Sequence, residues 1–353
     1  MKKILTAFIF SVLIMALVGE AILFRYLYLK EEERETAKAE TVMEMESIIK
    51  QMEEDEKEVE IEENENGYLV LVDELPVYAE SDISVNTESS PLIVLKRGEE
   101  VTLSNEGNPY SLIQYGETGI GYVWSDCIRS KRECGQFTVT RDVIVIDAGH
   151  QEKGNSEKEP IGPGETKTKD KTASGTQGKA TEVLEYELTL DIALQVEEML
   201  KDDYTVIMVR RTSDVNISNK ERAMLANNIK AKVFVRIHAD GSENPEARGA
   251  MAICNTPNSK YENVRANYEQ NRKLSECVID AYTKETDIKK NDIRESDDYA
   301  GINWCSVPVT IIEMGFMTNR EEDKLMQDTE FQQKMAKGIA TGIKNYIKSL
   351  QIE

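Results

Sequence analysis

Histidine occurs only twice in this 353-residue chain, and both copies stand at the end of an apolar run. The run VIVIDAGH ends in His150, the run VFVRIHAD contains His238, and a third run, PVTIIE, ends in Glu313. Imidazole nitrogens and carboxylate oxygens are groups that bind zinc and move protons. Two neutral imidazoles and one carboxylate, with a fourth position left for water, make a catalytic zinc site. The three run ends are therefore candidates for a metal-dependent site.

Two further carboxylates, Glu182 and Glu185, lie in the first turn of a predicted helix, Thr181–Leu200. Zinc lowers the pKa of bound water to about 7, and a carboxylate near that water can accept its proton and pass it to a leaving amine. The residues do not form the HExxH motif and are far apart in the chain, so hydrogen-bonded surface histidines are the alternative. Glu313 lies within an apolar run, where burying a carboxylate without a partner is costly, and this favours a functional role.

The elements that must position these residues begin at Thr138, where apolar runs start to alternate with longer helical patterns. Such alternation predicts an α/β fold with a mostly parallel sheet and helices on both faces. Sites in open α/β sheets gather at the carboxyl ends of the strands, so the three run ends converge if their strands are close neighbours. The predicted strands are Asp142–Asp147, Tyr204–Val209, Val233–His238, Gly249–Cys254 and Val307–Glu313, and the predicted helices are Thr181–Leu200, Ser218–Asn228, Tyr261–Thr286 and Thr329–Leu350. The Gly-, Lys- and Glu-rich stretch 151–180 is predicted to be a long loop that is functional or mobile.

The N-terminus is basic and then apolar, because MKK precedes ILTAFIFSVLIMALV and the apolar character continues to Leu29. This span is long enough for a membrane helix, although a basic start followed by an apolar run also fits a secretory signal. We predict an uncleaved signal anchor, a transmembrane helix, at 1–29, with a cleaved signal as the alternative. Residues 30–66 are predicted to form an acidic helical stalk or a linker. A formal net charge of −22 argues against a broad polyanion-binding surface, so nucleic acid is not an expected partner.

Between these segments and the α/β pattern, short alternating runs broken by Gly, Pro, Asn and Ser predict a small all-β barrel or sandwich at 67–130. The order of LPVY, KRGEEV, YSLI and GIGYV resembles a bacterial SH3 domain. Such a module either binds the cell wall or another protein, or is a spacer that binds nothing. The five cysteines show no metal-ligand spacing. A disulfide between Cys127 and Cys134 is geometrically feasible, but small buried thiols are the preferred interpretation.

Four stretches in the α/β part resemble the zinc-dependent N-acetylmuramoyl-L-alanine amidases of the Amidase_3 type, over roughly Val143 to Ile347. They are VIVIDAGH, EYELTLDIALQVEEML, VIMVRRTSDVNISNKERAMLANNIKAKVFVRIHADGS and PVTIIEMGFMTNREEDKLM, in the family's order. The resemblance implies a catalytic domain at 138–353 in which His150, Glu185 and His238 bind Zn²⁺ and Glu313 is the catalytic residue. It prefers Glu185 to Glu182 as the helix-start ligand.

The implied activity is hydrolysis of the amide bond between N-acetylmuramic acid and L-alanine in peptidoglycan, with a zinc-activated water and Glu313 as general base and then acid. Peptidoglycan is then the expected partner, and the cell membrane is the expected location, with a single anchor and an extracytoplasmic catalytic domain. The alternatives are a cell-wall-binding scaffold whose amidase domain is regulated or idle, and a zinc peptidase that cuts peptidoglycan cross-links.

The sequence departs from the family pattern at Thr189, where Asn is common, at Arg236, where Ser is frequent, and in the longer stretch after His150. These departures remove no ligand but could change substrate fit or access. Among the other polar residues near the motifs, a structural role is expected for Arg222 and Asn227. Orientation of the histidines, or a turn or capping role, is expected for Asp147 and Asp240, and a place in the groove is weighed for Asn303 and Trp304.

Overall fold

The computed structural model describes residues 67–80, 90–134 and 141–351. The predicted anchor at 1–29 and the predicted stalk at 30–66 lie outside these ranges. Across the residues that are described, no helix combines the length and the apolar character needed to cross a membrane.

The first part of the fold, which we call the β module (residues 67–134), consists of short strands and ends in a single helical turn. Its strands are β1 Gly67–Val70, β2 Glu74–Val77, β3 Ile93–Lys96, β4 Glu100–Asn105, β5 Tyr110–Tyr115, β6 Gly119–Trp124 and β7 Ile128–Ser130, followed by α1 Lys131–Cys134. Five strands form an antiparallel sheet in the order β6-β5-β4-β1-β7, and β2 pairs with β3. Alternate side chains in β5 are buried, as expected when one face of an antiparallel sheet covers a core. The specific SH3-like assignment stays a prediction.

The second part, the α/β part (residues 141–351), is built on a six-stranded mixed sheet. Its strands are β8 Val143–Ala148, β11 Thr205–Met208, β12 Val233–Asp240, β13 Met251–Cys254, β14 Arg294–Glu295 and β15 Val309–Phe316, in the order β11-β8-β12-β15-β13-β14. The strands β11, β8, β12 and β15 are mutually parallel, whereas β13 runs antiparallel to β15. Every residue of β8 and β11 is buried, because parallel strands of this kind are covered on both faces.

Seven helices belong to the described residues of the α/β part: α2 Glu185–Leu200, α3 Asn219–Asn228, α4 Glu262–Arg265, α5 Tyr268–Thr286, α6 Ala300–Asn303, α7 Arg320–Met326 and α8 Thr329–Ser349. Buried residues of α2, α5 and α8 form one apolar cluster with one face of the sheet, and those of α3, α4 and α6 belong to a second cluster with the other face. Helices therefore cover both faces, as the alternation of strands and helices predicts.

Several predicted elements differ in detail from the structure. The first helix begins at Glu185 rather than Thr181, because Thr181 lies in a turn, Glu182 has a left-handed φ of 64°, and Leu184 bridges to Gln177. The helix predicted over Tyr261–Thr286 is interrupted between α4 and α5. The predicted loop 151–180 contains a β-hairpin, β9 Asn155–Pro160 with β10 Thr168–Thr172.

The tip of this hairpin is fixed to the α/β part rather than free. The indole of Trp304 donates to the carbonyl of Pro160 at 2.8 Å, and the amide of Asn303 donates to the carbonyl of Ile161 at 2.9 Å. Asn303 and Trp304, weighed from sequence as groove residues, thus hold the hairpin. Since Ile161 is also buried, the stretch 151–180 has an ordered anchor that periodicity did not reveal.

The β module and the α/β part share a hydrophobic core. Buried module residues such as Leu71 and Ile113 belong to the same cluster as Val145 and Phe234 of the sheet. All five cysteines lie in the described part of the chain and are free thiols, so Cys127 and Cys134 form no disulfide.

Candidate metal centre

The three apolar runs that end in His150, His238 and Glu313 are neighbouring strands of the sheet. The order β8-β12-β15 is parallel, so their carboxyl ends share one edge. His238 of β12 is directly opposite Glu313 of β15, which puts both side chains on the same face. Glu185, the first residue of α2, lies at this edge as well. All four side chains line one groove of about 700 Å³.

The two histidines and Glu185 are close enough to share one ligand. One carboxylate oxygen of Glu185 lies 3.1 Å from Nε2 of His150 and 3.2 Å from Nδ1 of His238. The two imidazole nitrogens are 3.2 Å apart. Donor atoms at a tetrahedral zinc ion, each about 2.1 Å from the metal, are separated by about 3.4 Å. The spacing and the chemistry of this His-His-Glu set therefore fit a zinc ion.

His150 is held by an unusual backbone conformation and by one hydrogen bond. Its φ angle is 61°, in the left-handed region that a non-glycine residue rarely adopts. Its Nδ1 lies 2.8 Å from the carbonyl oxygen of Ala173, just after the hairpin. Because a carbonyl can only accept, Nδ1 carries the proton and the lone pair is on Nε2, which faces Glu185.

Two backbone amides hold Glu185, which is almost completely buried. One carboxylate oxygen accepts from the N–H of Thr176 at 2.9 Å and the other from the N–H of Ala239 at 3.1 Å. Burial by itself raises the pKa of Glu185, but the contacts of its carboxylate with the imidazoles of His150 and His238 outweigh it and lower the pKa. The carboxylate is consequently ionised at neutral pH, as a metal ligand must be.

His238 packs against the backbone of Gly149. A Cβ atom at this glycine would lie 2.5 Å from the imidazole ring, so any side chain there would displace the ring. Burial, together with the neighbouring His150, lowers the pKa of His238 to about 4. At neutral pH His238 is therefore an uncharged imidazole with a lone pair available. Its Nε2 is buried and has no hydrogen-bond partner among the described residues.

Glu313 is a carboxyl group in an environment that disfavours its charge. Its Oε2 is buried without a hydrogen-bond partner in the described part of the chain. Burial, followed by the charges of Glu185 and Asp240, raises the pKa of Glu313 well above its usual value. A carboxyl group of this kind can hold a proton near neutral pH and release it to a basic group, the property expected of a general acid and base.

Asp147 does not contact the histidines through hydrogen bonds, contrary to one interpretation of the sequence. Its carboxylate accepts from Arg222 at 2.6 Å and from Arg236 at 2.7 Å, and all three side chains are buried. Burial raises the pKa of Asp147, but the two guanidinium groups outweigh it and lower the pKa to about 2. Arg222 also donates to the carbonyl of His150 at 3.0 Å, so it ties the loop after β8 to α3, a structural role like the one expected for it.

Arg236, the departure from the family pattern, lies inside the groove wall. Besides Asp147 it contacts Asn219, which donates to the carbonyl of Lys171 at the end of the hairpin. Gly301 packs so closely on this guanidinium that a Cβ would lie 2.0 Å from it. Arg236 thus joins the sheet to the segment that reaches Ala173.

The other candidate residues from the sequence lie away from the His150–Glu185–His238 set or line the groove next to it. Glu182 is exposed, whereas Glu185 is buried beside the histidines. Asp240 lines the groove, and its carboxylate accepts from the N–H of Gly241 rather than from a histidine. Sequence reasoning missed the packing of Gly149 against His238 and the hydrogen bonds of the 173–176 backbone to His150 and Glu185. It also missed the hydrogen bonds of Arg210 to the carbonyls of Gly149 and Tyr186. Of these, only the glycine in the DAGH motif left a local signal.

Several known proteins similar to this chain are N-acetylmuramoyl-L-alanine amidases. The chain is 27% identical over 245 residues to the N-acetylmuramoyl-L-alanine amidase AmiA of Salmonella typhimurium, covering 59% of this chain and 77% of that protein. It is 27% identical over 244 residues to AmiC of Neisseria meningitidis, covering 59% of this chain and 53% of AmiC, so this chain spans about half of that relative. The crystal structure of the amidase Ami1 from Mycobacterium smegmatis matches with a TM-score of 0.53 at 25% identity, over 59% of this chain and 97% of that one.

The family model described as N-acetylmuramoyl-L-alanine amidase, Amidase_3, matches residues 144–345. This range is more than half of the chain and contains His150, Glu185, His238 and Glu313. The chain therefore belongs to the Amidase_3 family of N-acetylmuramoyl-L-alanine amidases.

Proposed function

We propose that this protein is a zinc-dependent amidase that hydrolyses the bond between N-acetylmuramic acid and L-alanine in peptidoglycan. The observation that carries the proposal is the meeting of His150, Glu185 and His238 with Glu313 in one groove of a chain that belongs to the amidase family. The groove is open to solvent, as a site for a polymeric substrate has to be.

The metal ligands in this proposal are Nε2 of His150, Nδ1 of His238 and a carboxylate oxygen of Glu185. The chemistry that zinc supplies at such a site is a lowered pKa for water and polarisation of the scissile carbonyl. The protein contributes the ligands in their deprotonated forms, because His238 is neutral and Glu185 is ionised at neutral pH. The backbone contacts from Ala173 and Thr176 orient two of the three ligands.

Glu313 moves the proton in this proposal. Its environment raises its pKa, so its anion is a stronger base than an ordinary carboxylate and its acid form persists at higher pH. As a base Glu313 accepts the proton of the attacking water, and as an acid it delivers that proton to the departing amine of L-alanine. A cation held by His150, Glu185 and His238 would offset the repulsion between Glu185 and Glu313, and Glu313 would then be ionised more readily.

The substitution Glu313→Gln tests this role, because glutamine keeps the size of the side chain but cannot exchange a proton. We expect the full-length variant to bind one zinc ion per chain, as the unaltered protein does, and to lose about 10²- to 10⁴-fold in kcat on peptidoglycan. The matched control is Glu182→Gln, an exposed glutamate near the site, which should retain activity. Near-normal turnover by Glu313→Gln would contradict the mechanism.

The identity of the cut bond is read from the products. Mass spectrometry of digested peptidoglycan should show stem peptides with a free L-alanine amine and intact glycan chains. Release of fragments cut within the peptide cross-links would instead indicate a zinc peptidase. Absence of soluble fragments, with retained binding to peptidoglycan, would indicate a wall-binding scaffold with an idle domain.

The organisation of the whole chain completes the proposal. A signal anchor at 1–29 would hold the protein in the cell membrane, a spacer at 30–66 would extend from it, and an SH3-like module at 67–130 would precede the catalytic domain at 138–353. The support for the anchor and spacer is the apolar and acidic composition of these segments. Since peptidoglycan lies outside the membrane, the catalytic domain would be extracytoplasmic.

A further inference from the structure

The β module covers part of the outer edge of the six-stranded sheet. Strand β11 is an outer strand, so one side of its backbone lacks a partner strand. At its last residue, Met208, the N–H donates to the carboxylate of Asp126 at 2.6 Å. The carbonyl of Met208 accepts from the indole of Trp124 at 3.4 Å. Both partners belong to the β module, which thus takes the place of a neighbouring strand.

An ion-pair network of Asp126, Arg211 and Glu197 also connects the β module to the α/β part. Asp126 is also paired with Arg211, which contacts Glu197 of α2 through two hydrogen bonds of 2.9 and 2.6 Å. The carboxylate of Asp126 is largely buried, with 10% of the side chain exposed. The β module therefore holds the chain on both sides of residue 210 and links it to the helix that begins with Glu185.

Arg210 lies between these two fixed points and contacts the backbone next to two candidate metal ligands. It is 1% exposed, and its guanidinium donates to the carbonyls of Ala148 and Gly149, each at 2.9 Å. It also donates to the carbonyl of Tyr186 at 2.8 Å and to the hydroxyl of Thr189 at 3.2 Å. Ala148 and Gly149 directly precede His150, and Tyr186 directly follows Glu185. One side chain thus ties together the backbone segments that carry two of the candidate ligands.

Thr189 closes the same network. Its hydroxyl donates to the carbonyl of Gly149 at 2.8 Å, so α2 and the loop before His150 are joined directly as well as through Arg210. The five donor positions of a guanidinium are fixed in one plane, so the carbonyls that accept from Arg210 are fixed relative to one another. None of these acceptors is a carboxylate, which means that the contacts with Arg210 align backbone rather than neutralise charge.

We propose that Arg210 is a positioning residue for the metal centre and that the β module, through Asp126 and Trp124, holds Arg210 in place. The inference rests on the proposed zinc site. It assigns to the β module a direct part in assembling that site, in addition to any binding of the cell wall. Metal affinity and turnover then depend on contacts of the outer strand β11, whose residues do not line the groove.

Zinc affinity of the full-length protein, measured by competition with a chromophoric chelator, tests the proposal. Arg210→Met should weaken zinc binding by about 10- to 100-fold, the usual effect of removing a group that orients metal ligands. Asp126→Ala should weaken it by about threefold to tenfold, and Asp126→Asn, which keeps an acceptor for the N–H of Met208, should restore part of the loss. Should Arg210→Met fail to fold, Arg210→Lys and the two Asp126 variants carry the test.

The matched control is Arg97→Met, at the other end of the same strand. Arg97 belongs to the β module and donates to Thr205, the first residue of β11, at 3.3 Å. Its loss should lower the thermal midpoint in the same way as Asp126→Ala but leave zinc affinity within about twofold. Equal zinc affinity in the Asp126→Ala and Arg97→Met proteins, at equal loss of thermal stability, would overturn the proposal.

Amide hydrogen exchange distinguishes a failure of the positioning role of Arg210 from a failure of the proposed zinc site. In the metal-free protein, Asp126→Ala should increase exchange in the peptides that contain 148–150 and 185–189, and Arg97→Met should not. An unaltered protein that binds no zinc would refute the zinc site, whereas the exchange result would still decide the positioning role. Unchanged exchange in those peptides would overturn that role even if zinc binds.

Discussion

At the scale of single residues, the buried carboxylate of Asp147 stabilises the surroundings of the candidate metal centre. It lies between the guanidinium groups of Arg222 and Arg236 and is fully buried with them. Removing one partner of a buried ionic group leaves the others without compensation, which typically costs about 3 to 5 kcal/mol. The histidines depend on this group indirectly, through the backbone that Arg222 holds.

The substitution Asp147→Asn should therefore lower the free energy of unfolding by about 3 to 5 kcal/mol, measured by urea denaturation at neutral pH. The exposed Asp170, which pairs with Lys158, is the control, and Asp170→Asn should cost less than about 1 kcal/mol. A loss for Asp147→Asn no larger than that of the control would refute this account.

The pH dependence of the Asp147 contribution has a definite sign. Its pKa in the folded protein is about 2, below the value of about 3.9 in an unfolded chain. The stabilisation is therefore fully present above about pH 4 and is lost as the pH falls through 2. The difference in stability between the unaltered protein and Asp147→Asn should shrink in this acidic range.

At the scale of elements, the β9–β10 hairpin supports two of the candidate metal ligands. One end of the hairpin is fixed through Pro160 and Ile161, and the other end leads to Ala173 and Thr176, which contact His150 and Glu185. The stretch that contains the hairpin is thus part of the support of the candidate ligands.

Glu159 of β9 makes the hairpin sensitive to pH. It is 5% exposed and accepts from the N–H of Lys220 at the start of α3 at 3.1 Å. Burial, assisted by the charge of Glu221, outweighs the hydrogen bonds to Glu159 and raises its pKa to about 7. A folded-state pKa above the unfolded value of about 4.3 means that the folded protein holds the proton more tightly. The stability contribution of Glu159 is then largest at low pH and falls as the pH rises toward 7.

The substitution Glu159→Gln, which keeps the acceptor oxygen but carries no charge, should become relatively more favourable as the pH rises. Between pH 5 and pH 8 its free energy of unfolding should gain roughly 2 kcal/mol relative to the unaltered protein. Urea denaturation at the two pH values measures this difference. Glu157→Gln, at an exposed position of the same strand, should show little change, and a pH-independent effect of Glu159→Gln would count against the assignment.

At the scale of the whole described molecule, the β module and the α/β part share one apolar cluster. A shared core couples the two parts, so we expect them to unfold together rather than in sequence. The two tryptophans allow this to be observed, because Trp124 lies in the β module and Trp304 in the α/β part. Among the residues that the structure describes, the long helices all belong to the α/β part.

The substitution Leu71→Ala, introduced into a Trp304→Phe background, tests this coupling. Leu71 is 1% exposed in the module, and its truncation should cost about 2 to 5 kcal/mol. The fluorescence of Trp124 and the helical circular dichroism should both shift to lower urea concentration and stay superimposed. A fluorescence transition that precedes the loss of helix would show that the module unfolds independently.

The sequence by itself determined much of the α/β fold and the identity of the groups near the site. Alternating apolar runs and helical stripes indicated the strands and the two-sided helical cover, because a 2.0 or 3.6 periodicity records which face is buried. The rarity of histidine and the apolar setting of Glu313 drew attention to the strand ends, and the motifs around them matched the Amidase_3 family.

Only the tertiary structure decided which long-range contacts hold that site. The hairpin within 151–180, the pairing of Asp147 with two arginines and the reach of Arg210 to Gly149 and Tyr186 all join residues that are distant in the chain. Local periodicity does not predict such contacts, since hydrogen bonds between distant segments depend on where the folded backbone places each carbonyl. For the same reason, the sequence separated the β module from the catalytic part, whereas folding gave them a common core.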